Sequence, residues 1–309
     1  MPATFASSDF FIGHLPTFTN LGFQCRKHRW SPSAWRFEGQ RWLVTGASTG
    51  IGSEISKSAA AAGATVIAAA RSADRLEQLE ARTTGCSGRV APLPIDLSLL
   101  GNVDRLVERI AQEGPLDTLI NNVGVLLDDS GQTAEGRDVA FTTNLLGPYA
   151  LTTRLNRLGL LKPNATIVTI SSGGMYNAAL EIDKLAVSRQ GDGVLAYARH
   201  KRAQVELNAH WRTTAVGGQQ FYVMHPGWVD TPGVARSLPL FRLLMWPLLR
   251  TLAAAPIPCC RLAAKRPAQS NPEGIWFDRA LRPAHALAST RRGDDVTALV
   301  NFLDREMEQ

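Results

Sequence analysis

The sequence predicts an α/β fold in which a doubly wound parallel sheet is covered by helices on both faces. Two observations carry this prediction. From residue 41 onward, short apolar runs alternate with helix-length segments, which is the pattern of a parallel sheet. The first apolar run also leads straight into a glycine-rich turn, Thr45–Gly52, that opens a helix. The length of 309 residues suits one large domain of this class.

Seven strands are expected in chain order. They are residues 42–46, 64–70, the run leading into 94–97, 117–121, 165–170, 220–224 and 274–277. Helices are expected at 50–62, at 73–82, after Ser98 as a cap, around Asn144 and Leu151, and around Tyr197. We assign residues 1–40 to an N-terminal extension and 41–309 to a single domain, with a lid at about 232–255.

Two segments, within residues 1–40 and at Leu238–Leu252, allow more than one interpretation. Residues 1–12 lack the basic start and long apolar run of a secretory signal. The basic and aromatic residues of 26–37 suit a short helix or arm lying on the domain, and a membrane contact stays open. Leu238–Leu252 is too short and too broken to span a bilayer. It suits a helix over a pocket, whereas interfacial membrane contact is the alternative.

Composition narrows the function classes. Hydrophobic residues make up 45% and charged residues 19% of the chain, an ordinary globular balance. A net charge of +6 suits a phosphate-bearing ligand or an anionic surface, and no dense basic stripe indicates nucleic-acid binding. The spacing of Cys25, Cys86, Cys259 and Cys260 matches no zinc or redox motif. We therefore expect free thiols, no metal and a cytoplasmic location.

The glycine turn has the form of a phosphate cradle. Gly46, Gly50 and Gly52 let the backbone turn sharply and approach a pyrophosphate, which binds at the helix N-terminus. The turn also contains Ser48 and Ile51, and the Ser48 hydroxyl is a further candidate contact. An ordinary tight turn is the alternative.

A second motif lies far downstream. Tyr197 and Lys201 are four residues apart and share one face of a helix. A phenol beside a fixed positive charge is a good proton donor and acceptor, although such a pair is also common on solvated surfaces. A phosphate cradle together with such a phenol indicates hydride transfer to or from a carbonyl.

Four further motifs follow in a consistent order: Asn121–Gly124, Asn144, Ser171–Met175 and Pro226–Thr231. With them the chain resembles the short-chain dehydrogenase/reductase family, in its single-domain branch, over about residues 41–235 and again near Lys265. The resemblance implies a Rossmann fold and an NAD(P)-dependent oxidoreductase that interconverts a carbonyl and an alcohol. A cofactor-sensing protein without turnover and a membrane-peripheral Rossmann protein are the alternatives.

The resemblance also implies catalytic roles. Tyr197 is the general acid/base, and Lys201 lowers its pKa and holds the nicotinamide ribose. Ser172, the second of two serines, orients the substrate oxygen. Asn144 anchors a water that links Lys201 to solvent.

Cofactor contacts are implied in the same way. Strand 2 ends in Ala70-Arg71-Ser72, which contains no acid, and Arg71 favours a 2′-phosphate and hence NADP over NAD; a solvated arginine is the alternative. The remaining contacts implied for NADPH are Asp96, Leu97, Asn122, Gly124, Pro226, Gly227 and Thr231.

The chain departs from the common family pattern at two places. Ser172 and Tyr197 are 25 positions apart, about twice the usual spacing, which we interpret as a loop at the pocket rim. Pro256 and Pro258 are expected to break any helix between residues 251 and 264.

The lid is expected to place apolar side chains on or near the pocket wall, which favours an apolar substrate. These residues are Leu240, Phe241, Leu244, Met245 and Leu248. The sequence does not decide whether the chain forms a homo-oligomer.

Overall fold

The computed structural model describes residues 17–31, 34–187, 191–215, 217–269 and 273–309. The expectation about a signal at residues 1–12 lies outside these ranges. The strands are β1 (Arg41–Thr45), β2 (Thr65–Ala70), β3 (Arg89–Pro94), β4 (Leu116–Asn121), β5 (Leu161–Ile170), β6 (Gln220–His225), β7 (Gly274–Phe277) and β8 (Ala280–Pro283).

These strands form one sheet in the order β3-β2-β1-β4-β5-β6-β7-β8. Strands β1 to β7 run parallel, and β8 pairs with β7 in the antiparallel sense. The chain order reverses between β1 and β4, which opens a crevice at the carboxyl ends of the strands. The predicted doubly wound parallel sheet is therefore confirmed, whereas β8 was not foreseen.

Helices cover both faces of the sheet. They are α1 (Asn20–Lys27), α2 (Gly50–Ala61), α3 (Ala73–Ala81), α4 (Leu100–Glu113), α5 (Val139–Phe141), α6 (Gly147–Arg157), α7 (Gly193–Thr214), α8 (Pro232–Ser237), α9 (Pro239–Met245), α10 (Pro256–Lys265) and α11 (Val296–Glu308). A π-helical turn, Thr142–Leu146, joins α5 to α6.

The sheet is apolar on both sides, because each central strand is buried between two helical layers. Neighbouring residues of β1 illustrate this arrangement. Leu43 packs into the cluster with α4, α6 and α7, and Val44 packs into the opposite cluster with α2, α3 and α10. Both side chains are fully buried, which explains why the strands appear in the sequence as continuous apolar runs.

Two local expectations are wrong. Residues 256–265 do form a helix, because Pro256 and Pro258 stand in its first turn, where backbone N–H groups have no intrahelical partner. Its buried face includes Cys259 and Cys260, which are free thiols as expected. At the start of α4, the cap is not Ser98: the carboxylate of Glu135 accepts hydrogen bonds from the first two helical N–H groups.

The described part of the N-terminal extension packs onto the domain. Phe18 and Phe23 are buried, and the Arg26 guanidinium donates to the Asp278 carboxylate at 2.7 Å. This arrangement agrees with the short helix lying on the domain. None of the helices in the described ranges has the length and apolar character needed to cross a bilayer.

Candidate active site

The glycine turn lies between β1 and α2 and requires glycine at three positions. Gly46 and Gly50 have φ values of +66° and +59°, in the left-handed region that favours glycine. A Cβ on Gly52 would lie 2.5 Å from Asn122 Nδ2 and closer still to the Gly46 carbonyl oxygen. The glycines therefore keep the start of α2 narrow and open to a ligand, a geometry that fits a pyrophosphate at the helix N-terminus.

Thr45 and Asn122 hold this turn against β4. The Asn122 side-chain amide donates to the carbonyl oxygens of Thr45 and Gly46 at 2.9 and 3.2 Å. The Thr45 hydroxyl accepts from the N–H groups of Asn122 and Val123. The Asn122 side chain is thus occupied in shaping the cradle, a task that the sequence alone did not indicate.

The carboxyl ends of β2 and β3 border a cavity of about 570 Å³, lined in part by Arg71, Asp96, Arg105 and Arg109. Arg71 is exposed. Asp96 Oδ1 accepts from the Ser98 N–H at 3.0 Å, and Leu97 is buried in the core. This end of the crevice is therefore rich in guanidinium groups, which suit an anionic ligand.

The catalytic candidates meet on α7 and at the end of β5. Lys201 Nζ lies 5.5 Å from the centroid of the Tyr197 ring, and the Ser172 hydroxyl is near enough to the Tyr197 phenol to lower the pKa of that phenol. Ser171 faces away, because its hydroxyl donates to the Lys201 carbonyl oxygen at 2.9 Å. The structure therefore brings Ser172, Tyr197 and Lys201 together.

The pKa values of these groups differ from the expectation that Lys201 lowers the pKa of Tyr197. Burial raises the pKa of Tyr197 to about 12, and the neighbouring Ser172 hydroxyl opposes this rise. Burial also lowers the pKa of Lys201 to about 7. The Lys201 ammonium donates to the Ile170 carbonyl oxygen at 2.8 Å and not to the phenol. Tyr197 is accordingly protonated at neutral pH.

Asn144 lies in the π-helical turn and is fully buried. Its Oδ1 accepts from the Val125 N–H at 2.7 Å, and its Nδ2 donates to the Val125 carbonyl oxygen at 2.8 Å. These two main-chain partners fix the orientation of the amide. Nδ2 also lies 3.3 Å from His200 Nδ1, so this ring nitrogen accepts, and His200 Nε2 donates to the Leu185 carbonyl oxygen.

Arg250 and Phe18, which sequence reasoning missed, hold the loop after β6 that contains the predicted Pro226, Gly227 and Thr231. Gly227 has a φ value of +78°, and a Cβ there would lie 2.6 Å from the Arg250 guanidinium. Arg250 is buried and donates to the carbonyl oxygens of Pro226 and Phe18, both at 3.0 Å. Thr231 ends the loop, capping α8 through Val234 and lying beside Gly50. The only sequence signal was Arg250 itself, a charge within an apolar segment.

Two side chains attach the α8 and α9 part of the lid (residues 232–255), in addition to the buried Arg250 near the end of the lid. The Ser237 hydroxyl donates to the Leu126 carbonyl oxygen at 2.8 Å, and Arg242 forms a two-pronged ion pair with Asp230 at 2.7 and 3.0 Å. Phe241 faces inward, where its ring contacts Trp228. The outward face carries exposed apolar side chains, namely Leu240, Leu243, Leu244 and Trp246. The expectation that Leu240 and Leu244 line the pocket is therefore wrong for this arrangement, because their side chains are 75% and 78% exposed.

The long segment between Ser172 and Tyr197 is more than a rim loop. Within its described residues, Met175 and Leu185 are buried. Arg202, fully buried on α7, donates to the carbonyl oxygens of Met175 and Ala178 at 2.9 and 3.0 Å. The insertion is thereby fastened to the helix that carries Tyr197.

Comparison with known proteins agrees with this geometry. A family model described as short chain dehydrogenase matches residues 40–182. Dehydrogenase/reductase SDR family member 12 of Bos taurus is 34% identical over 287 residues, covering 91% of this chain and 90% of that protein. Retinol dehydrogenase 14 of Mus musculus is 31% identical over 69% of this chain and 70% of its own length.

Solved structures share the fold. A short chain dehydrogenase from Burkholderia cenocepacia J2315, in complex with NADP, aligns with a TM-score of 0.58 and 24% identity, covering 74% of this chain and 92% of that one. The relative from Bos taurus, matched over nearly the full length of both proteins, shows the family of this chain. The chain belongs to the short-chain dehydrogenase/reductase family and is an NAD(P)-dependent oxidoreductase of carbonyl and alcohol groups.

Proposed function

We propose that this chain is an NADP-dependent oxidoreductase that acts on a lipophilic carbonyl or alcohol, with Tyr197 as the general acid/base. The observation that carries the proposal is the meeting of Ser172, Tyr197 and Lys201 at the carboxyl edge of the sheet that holds the glycine turn. In this proposal Asn144 and Lys201 support Tyr197, and the loop 226–231 faces the nicotinamide.

The chemistry follows from the protonation states. The bound nicotinamide supplies or accepts the hydride. In the reductive direction, Ser172 and Tyr197 donate hydrogen bonds to the carbonyl oxygen, and the protonated phenol transfers its proton as negative charge develops there. Burial keeps the phenol protonated until that moment. In the oxidative direction the phenolate must form first, which a nearby positive charge favours.

The preference for NADP rests on the charge at the end of β2. An acidic residue there would bind the ribose 2′-hydroxyl and repel a 2′-phosphate. This chain has Arg71 instead, exposed at the mouth of a cavity that Arg105 and Arg109 also line. Within the described residues, Arg71 makes no ion pair that would hold it away from a ligand.

The lipophilic substrate is supported by the lid. Its inward residue Phe241 and its contact Trp228 present aromatic surface next to the loop that follows β6. Closure over the crevice excludes water and favours apolar ligands. Retinol dehydrogenase 14 takes its name from a lipophilic alcohol of this kind. The exposed apolar side chains of the lid also permit contact with a membrane surface. The proposal further includes a cytoplasmic location and a homo-oligomer.

The direct test is a screen of carbonyl compounds of graded chain length, followed by NADPH absorbance. We expect turnover of apolar aldehydes or ketones with NADPH. An absence of turnover with both cofactors, alongside tight NADPH binding, would favour the cofactor-sensing alternative.

The cofactor preference is tested by Arg71→Ala. We expect this variant to lose roughly 1–3 kcal/mol of the preference for NADPH over NADH, the scale of a charge-assisted contact. Calorimetric titration of both cofactors measures it. The exposed Arg82, at the far end of α3, provides the matched control, and Arg82→Ala should leave both dissociation constants unchanged. Equal affinity of the unmodified protein for the two cofactors would contradict the assignment.

A further inference from the structure

Gln204 lies one helical turn beyond Lys201 on α7 and connects it to Asn144. Gln204 Oε1 accepts from Lys201 Nζ at 3.2 Å, and Gln204 Nε2 donates to the Asn144 carbonyl oxygen at 2.6 Å. The Gln204 residue is only 3% exposed. The carboxamide is therefore buried with both ends occupied, one of them by the proposed lysine of the active site.

The orientation of this carboxamide is determined by its partners. An ammonium group can only donate a hydrogen bond, and a carbonyl oxygen can only accept one. Oε1 must therefore face Lys201, and Nε2 must face Asn144. The π-helical turn places the Asn144 carbonyl oxygen where Gln204 reaches it.

We propose that Gln204 is a positioning residue that links Lys201 directly to the Asn144 main chain and holds the lysine ammonium in place for catalysis. The inference rests on the proposed role of Lys201. A carboxamide neither gains nor loses a proton near neutral pH. Gln204 thus orients and stabilises the ammonium but does not relay protons.

Few groups stabilise the Lys201 ammonium, so its hydrogen bond with Gln204 has a large effect on its charge. Its two acceptors are the Ile170 carbonyl oxygen and Gln204 Oε1. The titratable groups nearby are Tyr197, whose ring lies 5.5 Å away, and His200, whose charge would act on Lys201. Both are neutral near pH 7, since burial raises the pKa of Tyr197 and lowers that of His200 to about 4. No carboxylate of the described residues forms an ion pair with Lys201, so neutral acceptors stabilise its charge.

The test is a pH titration of Lys201 by NMR in protein labelled with ¹³C at lysine Cε. The chain has six lysines, namely Lys27, Lys57, Lys162, Lys184, Lys201 and Lys265, and Lys201→Arg assigns the signal. Hydrogen bonds to charged groups are worth about 1.5–3 kcal/mol, so Gln204→Leu should lower the pKa of Lys201 by about one to two pH units. Gln204→Glu should shift the pKa upward, because a carboxylate favours the charged amine.

Opposite shifts of the Lys201 pKa in Gln204→Leu and Gln204→Glu distinguish a positioning role of Gln204 from a role in packing alone. Asn208 provides the control, since it is a buried amide one turn further along α7 that donates to the Phe221 carbonyl oxygen at 3.4 Å. Asn208→Leu should lower the melting temperature and leave the pKa of Lys201 unchanged. If Gln204→Leu fails to fold, Gln204→Asn shortens the reach and should give a downward shift.

An unchanged pKa in Gln204→Leu and Gln204→Glu, or equal shifts in one direction, would overturn the inference. This readout needs no turnover. If the carbonyl screen fails, the proposed function is contradicted, but the role of Gln204 is not. If the pKa of Lys201 does not respond to Gln204 substitutions, the role of Gln204 is contradicted, but the proposed function is not.

Discussion

Helix α7 and the lid both border the crevice, but they are built in opposite ways. On α7, Lys201, Arg202 and Gln204 are buried, and each makes at least two hydrogen bonds that fix its side chain. The α8 and α9 part of the lid exposes apolar side chains and is attached through Ser237 and Arg242. In the proposed function, the chemistry therefore sits on a rigid element, whereas substrate choice is left to short helices whose apolar side chains are mostly exposed.

The largest effect we expect on the rigid side concerns His200 and acid stability. Burial lowers the pKa of His200 to about 4, so the folded state keeps it neutral while the unfolded state takes up a proton below about 6.5. Stability contributed by this residue is complete above pH 6.5 and is lost as the pH falls to 4. The loss should amount to about 3 kcal/mol.

Denaturant unfolding at a series of pH values measures this slope. His200→Gln should flatten it between pH 6.5 and 4, and His210→Gln, at a histidine near the exposed end of α7, should leave it as in the unmodified protein. An identical slope in all three proteins would mean that His200 is not held neutral by burial, and α7 would be less rigidly packed than the structure indicates.

The next effect sharpens the description of the lid. Phe241 faces inward against Trp228, and Leu244 faces outward on the same short helix. Phe241→Ala should raise the KM for long apolar carbonyls by about 5- to 150-fold, equivalent to roughly 1–3 kcal/mol of apolar contact. Leu244→Ala is the matched control and should change little.

Steady-state kinetics over substrates of graded chain length provides the measurement. Small polar carbonyls and the NADPH dissociation constant should be unaffected by either variant. A uniform loss across all substrates in Phe241→Ala would identify this residue as ordinary core and would remove the distinction between lid and rigid wall.

The same contrast explains how far sequence reasoning reached. The strands were located closely because parallel strands buried on both faces are continuous apolar runs. The edge strand β8 was missed, since Ala280–Pro283 is partly exposed and ends in arginine and proline. The π-helical turn at Asn144 likewise depended on packing that local propensity does not show. Helix α10 was missed because Pro256 and Pro258 were treated as helix breakers, although they stand in its first turn.

Site residues divide in a similar way. The glycine turn and the Tyr197–Lys201 pair are local patterns, so the sequence located them. Gln204 reaches Asn144 across 60 positions, and Arg250 reaches Phe18 across 232. Contacts of that separation exist only once the sheet has assembled. Sequence therefore predicted the groups proposed to react, and structure revealed the groups that hold them.

The turnover number of Tyr197→Phe, measured with a carbonyl that the unmodified protein reduces, tests the proposed role of Tyr197 as the general acid/base. The variant keeps the ring and removes only the transferable proton, so NADPH binding should persist while turnover falls by about 10²–10⁴-fold. Stopped-flow oxidation of bound NADPH gives the rate, and fluorescence titration gives the affinity. Turnover close to that of the unmodified protein would contradict the assignment of Tyr197 as the general acid/base.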